Sequence, residues 1–374
     1  MNSTTTRGLA FDIRPSSARR TPQERAELMA NPGFGKVFTD HMVTIRYSAE
    51  EGWHDARLEP YGPLHLDPAT SALHYAQEIF EGLKAYRHAD GSFVCFRPEV
   101  NAQRFNSSAR RMAMPELPEE LFLGAIETLL AHDGDWMPTQ EGHSLYLRPL
   151  MFATDVSLGV NSPSSTYLFV LIASPAASYF AGGVKPVSVW LSEDYTRAAP
   201  GGTGQAKFAG NYAASFLAQA QAVDKGCDQV VWLDAVEHRW VEEMGGMNLF
   251  FVFGSGDDAR IMTPTLTGTL LPGVTRDSLL RLAPELGIPA EEGRISTEEW
   301  RSAAMSGDLT EVFACGTAAV ITPVGRVAST AGEFTIGDGQ PGSVTMRLRE
   351  ELVGIQFGHR PDPLGWIRKV GSAG

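Results

Sequence analysis

The stretch TYLFVLIASPAASYFAGGVKPVSVWLS, residues 166–192, holds two apolar runs of strand length separated by a segment bearing Gly, Pro and Ser. Thr166 to Ser174 and Val187 to Ser192 are rich in β-branched and aromatic side chains, which pack well on a pleated, buried surface. Between them Pro175 to Pro186 (PAASYFAGGVKP) breaks the pattern and marks a domain boundary. The chain therefore divides into a leader (1–33), a first domain (34–174), an interdomain loop (175–186) and a second domain (187–374).

Upstream of the boundary, Phe34 to Tyr47 and His54 to Pro60 read as strands about a turn at Glu51–Gly52. Ala85 to Arg97 reads as a hairpin closed by Asp90–Gly91, a dipeptide that tolerates the positive φ a tight hairpin needs. Glu99 to Met112 carries Val100, Phe105, Ala109 and Met112 at helical spacing and stops before Pro115. A second helix is expected over Leu121 to His132, and a further strand over Leu145 to Thr154. Downstream, Gln229 to Asp234 and Asn248 to Phe253 read as buried strands, with helices starting near Asn211 and Thr275. Strands and helices mix without strict βαβ alternation, so the class is α+β. No internal repeat is visible.

A chain of 374 residues corresponds to two domains, at most three, at roughly 150 residues each. With 31 Lys and Arg against 44 Asp and Glu, the net charge is −13, the wrong sign for a nucleic-acid partner. The three cysteines (Cys95, Cys227, Cys315) form no CxxC, which argues against a disulfide framework and a metal site and fits a reducing, cytoplasmic compartment. The longest apolar run, Tyr167 to Ala177, is interrupted by Pro175 and falls short of the about 18 residues that span a bilayer, so no membrane partner is expected. Residues 1–20, rich in Ser, Thr and Arg, read as a poorly ordered leader, and their composition also fits a transit peptide.

Four segments carry candidate chemistry. In Ala199 to Tyr212 (APGGTGQAKFAGNY), Lys207 lies among Gly201, Gly202, Gly204 and Gly210. Glycine lets backbone approach a ligand closely, and a desolvated lysine becomes a nucleophilic amine suited to imine formation. The same segment also reads as a flexible surface loop. In Val241 to Phe253 (VEEMGGMNLFFVF), Glu242 and Glu243 lead into a buried strand, and a buried carboxylate needs a positive partner such as a protonated ring nitrogen. A solvated turn is the plain alternative. LPGVTRDSLL (271–280) and FACGTAAVITP (313–323) each place Gly and Thr at a turn whose backbone N–H groups suit a phosphate. A reactive lysine, a buried acid and two phosphate turns together point to pyridoxal phosphate.

These residues sit within a wider pattern. LHYAQEIFEGLKAY (73–86), LYLRPLMF (145–152), KFAGNY (207–212), EMGGMNLF (243–250), LPGVTR (271–276) and CGTAAVITP (315–323) occur in this order. In that order, and in register from about Phe34 to Trp366, the chain resembles the branched-chain amino acid aminotransferases of the fold-type IV pyridoxal-phosphate enzymes. The resemblance implies a fold like that of D-amino acid aminotransferase, with a small N-terminal α/β domain and a larger C-terminal mixed-sheet domain. It implies a homodimer whose cofactor sites lie between domains, with Tyr75 lent from the neighbouring subunit.

Position by position, it also implies roles. Lys207 would form the internal aldimine and shuttle the substrate proton, Glu243 would pair with the pyridine nitrogen, and Tyr212 would bond the ring hydroxyl. Arg104, Val274, Thr275 and Thr317 would hold the phosphate. Phe80, Tyr75 and Tyr146 would line an aromatic box, closed by Tyr179. Arg148 would meet the distal carboxylate of glutamate or 2-oxoglutarate, and Ala318 and Ala319 the α-carboxylate. Core packing is the plain alternative for the aromatics, and a solvated helix face for Arg104. The implied reaction is ping-pong transamination between leucine, isoleucine or valine and 2-oxoglutarate, giving branched-chain 2-oxo acids and glutamate. D-amino acid transamination, aminodeoxychorismate lysis and non-catalytic phosphate-ligand binding are the alternatives. The chain departs from the animal-type pattern by carrying Ala319 and Thr322 where those enzymes have a redox CxxC, so no thiol switch is expected and Cys315 reads as core.

Overall fold

The computed structural model of the chain describes residues 9–178 and 183–372. In chain order the elements begin with β1 (Asp12–Ile13), α1 (Pro22–Ala30), β2 (His41–Ser48), β3 (Gly52–Pro60), α2 (Ser71–Tyr75) and β4 (Glu78–Phe80). There follow β5 (Leu83–Arg87), β6 (Ser92–Phe96), α3 (Pro98–Arg111), α4 (Glu119–Asp133), β7 (Ser144–Ala153) and β8 (Thr166–Ala176). Next come β9 (Val187–Ser192), α5 (Ala209–Ala213), α6 (Phe216–Asp224), β10 (Gln229–Leu233), β11 (Val241–Met244), β12 (Met247–Phe253) and β13 (Arg260–Pro264). The last are α7 (Val274–Glu285), β14 (Ala290–Gly293), α8 (Thr297–Ser306), β15 (Leu309–Gly316), β16 (Val320–Ser329), β17 (Gly332–Thr335), α9 (Ser343–Phe357) and β18 (Ile367–Ser372).

The described residues cluster into two compact units. The first gathers residues up to Ser178, Ala206–Ala209 and those from Gln356 onward; the second gathers those up to Gln205 and Gly210–Ile355. The sequence pattern alone places everything after 186 in one domain, and the structure differs at two stretches. The C-terminal stretch belongs with the first unit because β18 pairs antiparallel with β6, and the Lys207 stretch because Phe208 bridges to Ile79.

The first unit is built on a nine-stranded sheet, β1-β3-β2-β8-β7-β5-β6-β18 with β4 added on β7. Apart from the parallel β1–β3 pair its ladders are antiparallel. Gly91, at φ +80°, closes the β5–β6 hairpin as its Asp-Gly signature requires. The apolar stripe of α3 buries Ala102, Phe105 and Ala109, and Phe105 meets Phe122 and Phe169 with ring centres 5.6 and 5.8 Å apart. Such aromatic pairs contribute about 0.5–1.5 kcal/mol each beyond their buried area.

The stretch before residue 34 is not an unstructured leader in its described part. Thr21 and Glu24 form a reciprocal capping box at the start of α1. The Ser16 N–H donates to His41 Nε2 at 2.9 Å, and His41 Nδ1 meets the buried Asp133 carboxylate at 2.6 Å. Leu9 and Phe11 pack on the first unit's core. The sequence signal for this order is the Thr-Pro-x-Glu start of α1, which is a helix signature that composition conceals.

The second unit holds another nine-stranded sheet, ordered β11-β10-β9-β16-β15-β12-β13-β14 with β17 on β16. β11 also pairs with β12, so β9, β10, β11, β12, β15 and β16 close on themselves. Parallel ladders (β9–β10, β9–β16, β13–β14) and antiparallel ones are mixed, which makes the molecule α+β as the sequence indicates. Trp300 stands edge-on to Phe251 (5.2 Å) and Phe334 (6.0 Å) in the core on one side of this sheet. Glu311 accepts the N–H groups of Val344 and Thr345 and so caps α9. No helix among the described residues is long and apolar enough to cross a membrane.

Candidate active site

In the first unit the site is organised by the turn Phe80-Glu81-Gly82, where β4 ends. Strand alternation sends Ile79 into the core and Phe80 to the opposite face. Lys207 lies alongside: its carbonyl accepts the Phe80 N–H at 3.1 Å and its N–H donates to Ser108 Oγ at 2.8 Å. With its backbone held at both ends, Lys207 is half-buried, and its Nζ sits 4.8 Å from the centre of the Phe80 ring. The Arg148 guanidinium lies over the same ring at 4.9 Å and over Tyr146 at 5.3 Å, and its Nη2 donates to the Tyr146 hydroxyl at 3.0 Å. Arg148 Nε is buried without a hydrogen-bond partner among the described residues. A Cβ at Gly82 would collide with the Tyr146 hydroxyl, which is why glycine follows Glu81. Phe34 meets Tyr146 edge-on at 4.9 Å.

The structure thus groups Lys207, Phe80, Tyr146 and Arg148, all singled out from sequence. Tyr75 makes its contacts elsewhere. It is 44% exposed on α2, and its hydroxyl donates to the Leu158 carbonyl at 2.7 Å. Tyr179 lies outside the described residues.

Arg104 is no solvated helix residue. It lies on the inner face of α3, 8% exposed, and is gripped by Glu81, which is fully buried. Arg104 Nε donates to Glu81 Oε1 at 2.7 Å and Nη2 to Oε2 at 2.9 Å, a forked pair that Asn101 Nδ2 joins at 2.8 Å. Desolvation opposes ionisation of Glu81. The Arg104 charge and hydrogen bonds, the Lys207 charge and the Asn101 amide outweigh it and hold the carboxyl below its usual range. Sequence reasoning misses Glu81, since an acid inside IFEG gives no sign of its distant partner.

In the second unit Glu243 is buried on β11. Its Oε1 accepts the Leu271 N–H at 2.6 Å and Asn248 Nδ2 at 3.2 Å, while its Oε2 lies 2.6 Å from Arg197 Nη2. The sequence suggests a ligand's ring nitrogen as the partner of this buried acid; the chain itself supplies Arg197. Arg197 also donates to the carbonyls of Gly204 (3.1 Å) and Thr269 (3.4 Å), so it ties the glycine loop to the acid. Asn248 is within reach of sequence reasoning, because the Gly245–Gly246 turn sets it opposite Glu243 in the β11–β12 register. Arg197 has no such local signal.

Tyr212, on α5, has its ring beside Gly246 of that turn. Glu242, next to Glu243, is buried with Oε1 accepting the Thr269 hydroxyl at 2.5 Å, and desolvation pushes its carboxyl above the usual range. Val274 and Thr275 form the buried first turn of α7, whose N-cap is Gly273. A Cβ at Gly273 would strike Asn248 Oδ1, so the glycine permits the close approach of helix and acid cluster. First-turn N–H groups lack intrahelical partners and suit an anion. Thr317, Ala318 and Ala319 make the tight turn between β15 and β16, followed by Val320 at φ +64°. A β-branched residue in the left-handed region is strained, and such strain gathers at ligand sites. Cys315 is buried just before the turn, and burial pushes its thiol far up.

A sequence profile of the amino-transferase class IV family matches residues 78–327. The chain is 61% identical to the branched-chain-amino-acid aminotransferase of Mycolicibacterium smegmatis, over 97% of this chain and 98% of that protein. Among solved structures it resembles a branched-chain amino acid aminotransferase from T.th. with pyridoxamine 5'-phosphate (TM-score 0.71). It also resembles the same protein complexed with N-(5'-phosphopyridoxyl)-L-glutamate (TM-score 0.69). Both are 31% identical to this chain and cover 87% of it and 98% of their own length.

Proposed function

The chain belongs to the amino-transferase class IV family and is an aminotransferase, and on that premise we propose that it exchanges amino groups between branched-chain L-amino acids and 2-oxoglutarate with pyridoxal 5'-phosphate as cofactor. The observation that carries this reading is the grouping of a half-buried lysine amine with Arg148 on the Phe80 ring, since a guanidinium suits a second carboxylate. The pyridoxamine phosphate and phosphopyridoxyl-glutamate held by the T.th. relative support the cofactor and glutamate as a partner substrate.

The residues present fit such a cofactor: an amine held against an aromatic ring, a buried arginine, a buried acid with fixed donors, and a glycine-capped helix start. When bound, pyridoxal phosphate supplies an aldehyde that takes an amino group from one substrate and yields it to the next in ping-pong order, and a ring that stabilises the charge left at the substrate Cα. Arg104, Val274, Thr275 and Thr317 would hold the phosphate. Glu243, fixed by Leu271 N–H, Asn248 and Arg197, would pair with the pyridine nitrogen, and Tyr212 would bond the ring hydroxyl. Lys207 Nζ removes the proton from the substrate Cα and returns it at the other end of the reaction. Phe80 and Tyr146, with Tyr75 lent by the neighbouring subunit, would surround an apolar side chain, Arg148 would meet the distal carboxylate of glutamate, and Ala318 and Ala319 the α-carboxylate.

Exposed Leu73, Tyr75, Val156, Leu158 and Val160 form an apolar set on the first unit, which supports a homodimer. Three buried, unpaired cysteines support a reducing, cytoplasmic setting.

Borohydride reduction followed by peptide mapping should find the cofactor on Lys207, and Lys207→Ala should abolish turnover. The visible band of the purified protein should collapse with leucine and return with 2-oxoglutarate. A band unmoved by leucine but discharged by D-alanine would replace the branched-chain reading, and a Lys207→Ala variant with full turnover would end it.

A further inference from the structure

We propose that Glu81 is a positioning residue for phosphate recognition, setting the guanidinium of Arg104 in the one orientation that presents its outer edge to the cofactor's phosphate; this rests on the role given to Arg104 above. A free arginine side chain samples many rotamers, and a planar fork matched to a carboxylate removes that freedom in both position and plane. Glu81 achieves this with both oxygens. Oε1 takes Arg104 Nε–H, and Oε2 takes one hydrogen of Nη2 together with Asn101 Nδ2 and, at 3.2 Å, the Gly82 N–H. Two of the guanidinium N–H groups are thereby committed to Glu81. The planarity of the group directs the edge formed by Nη1 and Nη2 away from it, and that edge has the fork geometry that suits two phosphate oxygens.

The acid is also placed where its orientation matters. Phe80 and Gly82 flank it, the first under the Lys207 amine and the second giving room to the Tyr146 hydroxyl. One three-residue turn therefore fixes the phosphate arginine relative to the reactive amine and the side-chain box. Full burial of Glu81 makes the pair rigid, because an unpaired charge there would be costly on either side.

The test compares two aldehydes that differ only in the phosphate. The full chain, freed of cofactor, is titrated with pyridoxal 5'-phosphate and with pyridoxal, and visible absorbance and tryptophan fluorescence report binding. Glu81→Gln should weaken pyridoxal 5'-phosphate binding by about tenfold or more, the scale seen when one partner of a buried pair loses its charge, and leave pyridoxal nearly unchanged. In an Arg104→Met background Glu81→Gln should add no further loss. Glu81→Asp, which keeps the charge and shortens the reach, should give a smaller loss with the same phosphate selectivity, and it carries the comparison if Glu81→Gln does not fold. Equal weakening of both aldehydes, or an undiminished preference for the phosphorylated one, would overturn the proposal. A wild-type chain that binds neither aldehyde would instead overturn the function proposed above, and this inference with it.

Discussion

Arg197 and Glu243 meet as a buried ion pair, Nη2 to Oε2 at 2.6 Å, and the same arginine holds the carbonyls of Gly204 and Thr269. Removing one member of a buried pair strands the other charge. Arg197→Met should therefore lower stability by about 3–5 kcal/mol in urea unfolding, and Glu243→Gln in the same chain should recover part of the loss. Strictly additive losses would show that the two side chains do not act as a pair.

Gly204 is required by contact, not by its backbone angle. A Cβ there would overlap the Thr269 carbonyl oxygen, which is backbone and cannot swing aside. Gly204→Ala should destabilise by about 1–3 kcal/mol, the usual cost of overpacking. Gly201, at φ +76° with open space around it, should lose less than this on Gly201→Ala, from strain alone. Thermal unfolding of the two variants side by side checks the order.

Arg148 Nε, without a hydrogen-bond partner among the described residues, bears on substrate choice. Arg148→Met should raise the KM for 2-oxoglutarate by about tenfold or more, because a buried hydrogen bond to a charged group is lost, while turnover of leucine in the first half-reaction changes little. Single-turnover kinetics with each substrate separates the two. Equal damage to both half-reactions would assign Arg148 to scaffolding.

Glu242 is the buried acid that no cation offsets fully. Desolvation and the neighbouring Glu243 raise its pKa against the help of Thr269 and Arg197. A raised folded-state pKa means that stability is complete below the unfolded value of 4.5 and falls as pH rises through the folded one. Glu242→Gln should thus raise the melting temperature at neutral pH, with the gain vanishing as pH drops below that value. A gain that persists in acid would point to packing instead of charge.

What can be read from sequence is local. The Asp90–Gly91 hairpin and the helices at 98–111 and 119–133 announce themselves through turn chemistry and periodicity. Lys207, Phe80, Tyr146 and Arg148 are legible through short motifs, and the structure groups them. Arg197 and Glu81 are not, because each owes its role to a partner far away in the chain and spacing carries no record of that. β18 escapes notice for a related reason: IRKVGS alternates weakly and becomes a strand only by adding to the edge of β6.

That late addition sets a schedule for biosynthesis. β6, whose five side chains are all buried in the finished protein, gains its second neighbour from residues 367–372. The ribosome must deliver the whole of the second unit before this strand is covered. A nascent chain therefore carries an open, apolar edge through most of its translation, the kind of edge that recruits other chains. Variants that weaken β18 should therefore fail as inclusion bodies before they fail as enzymes.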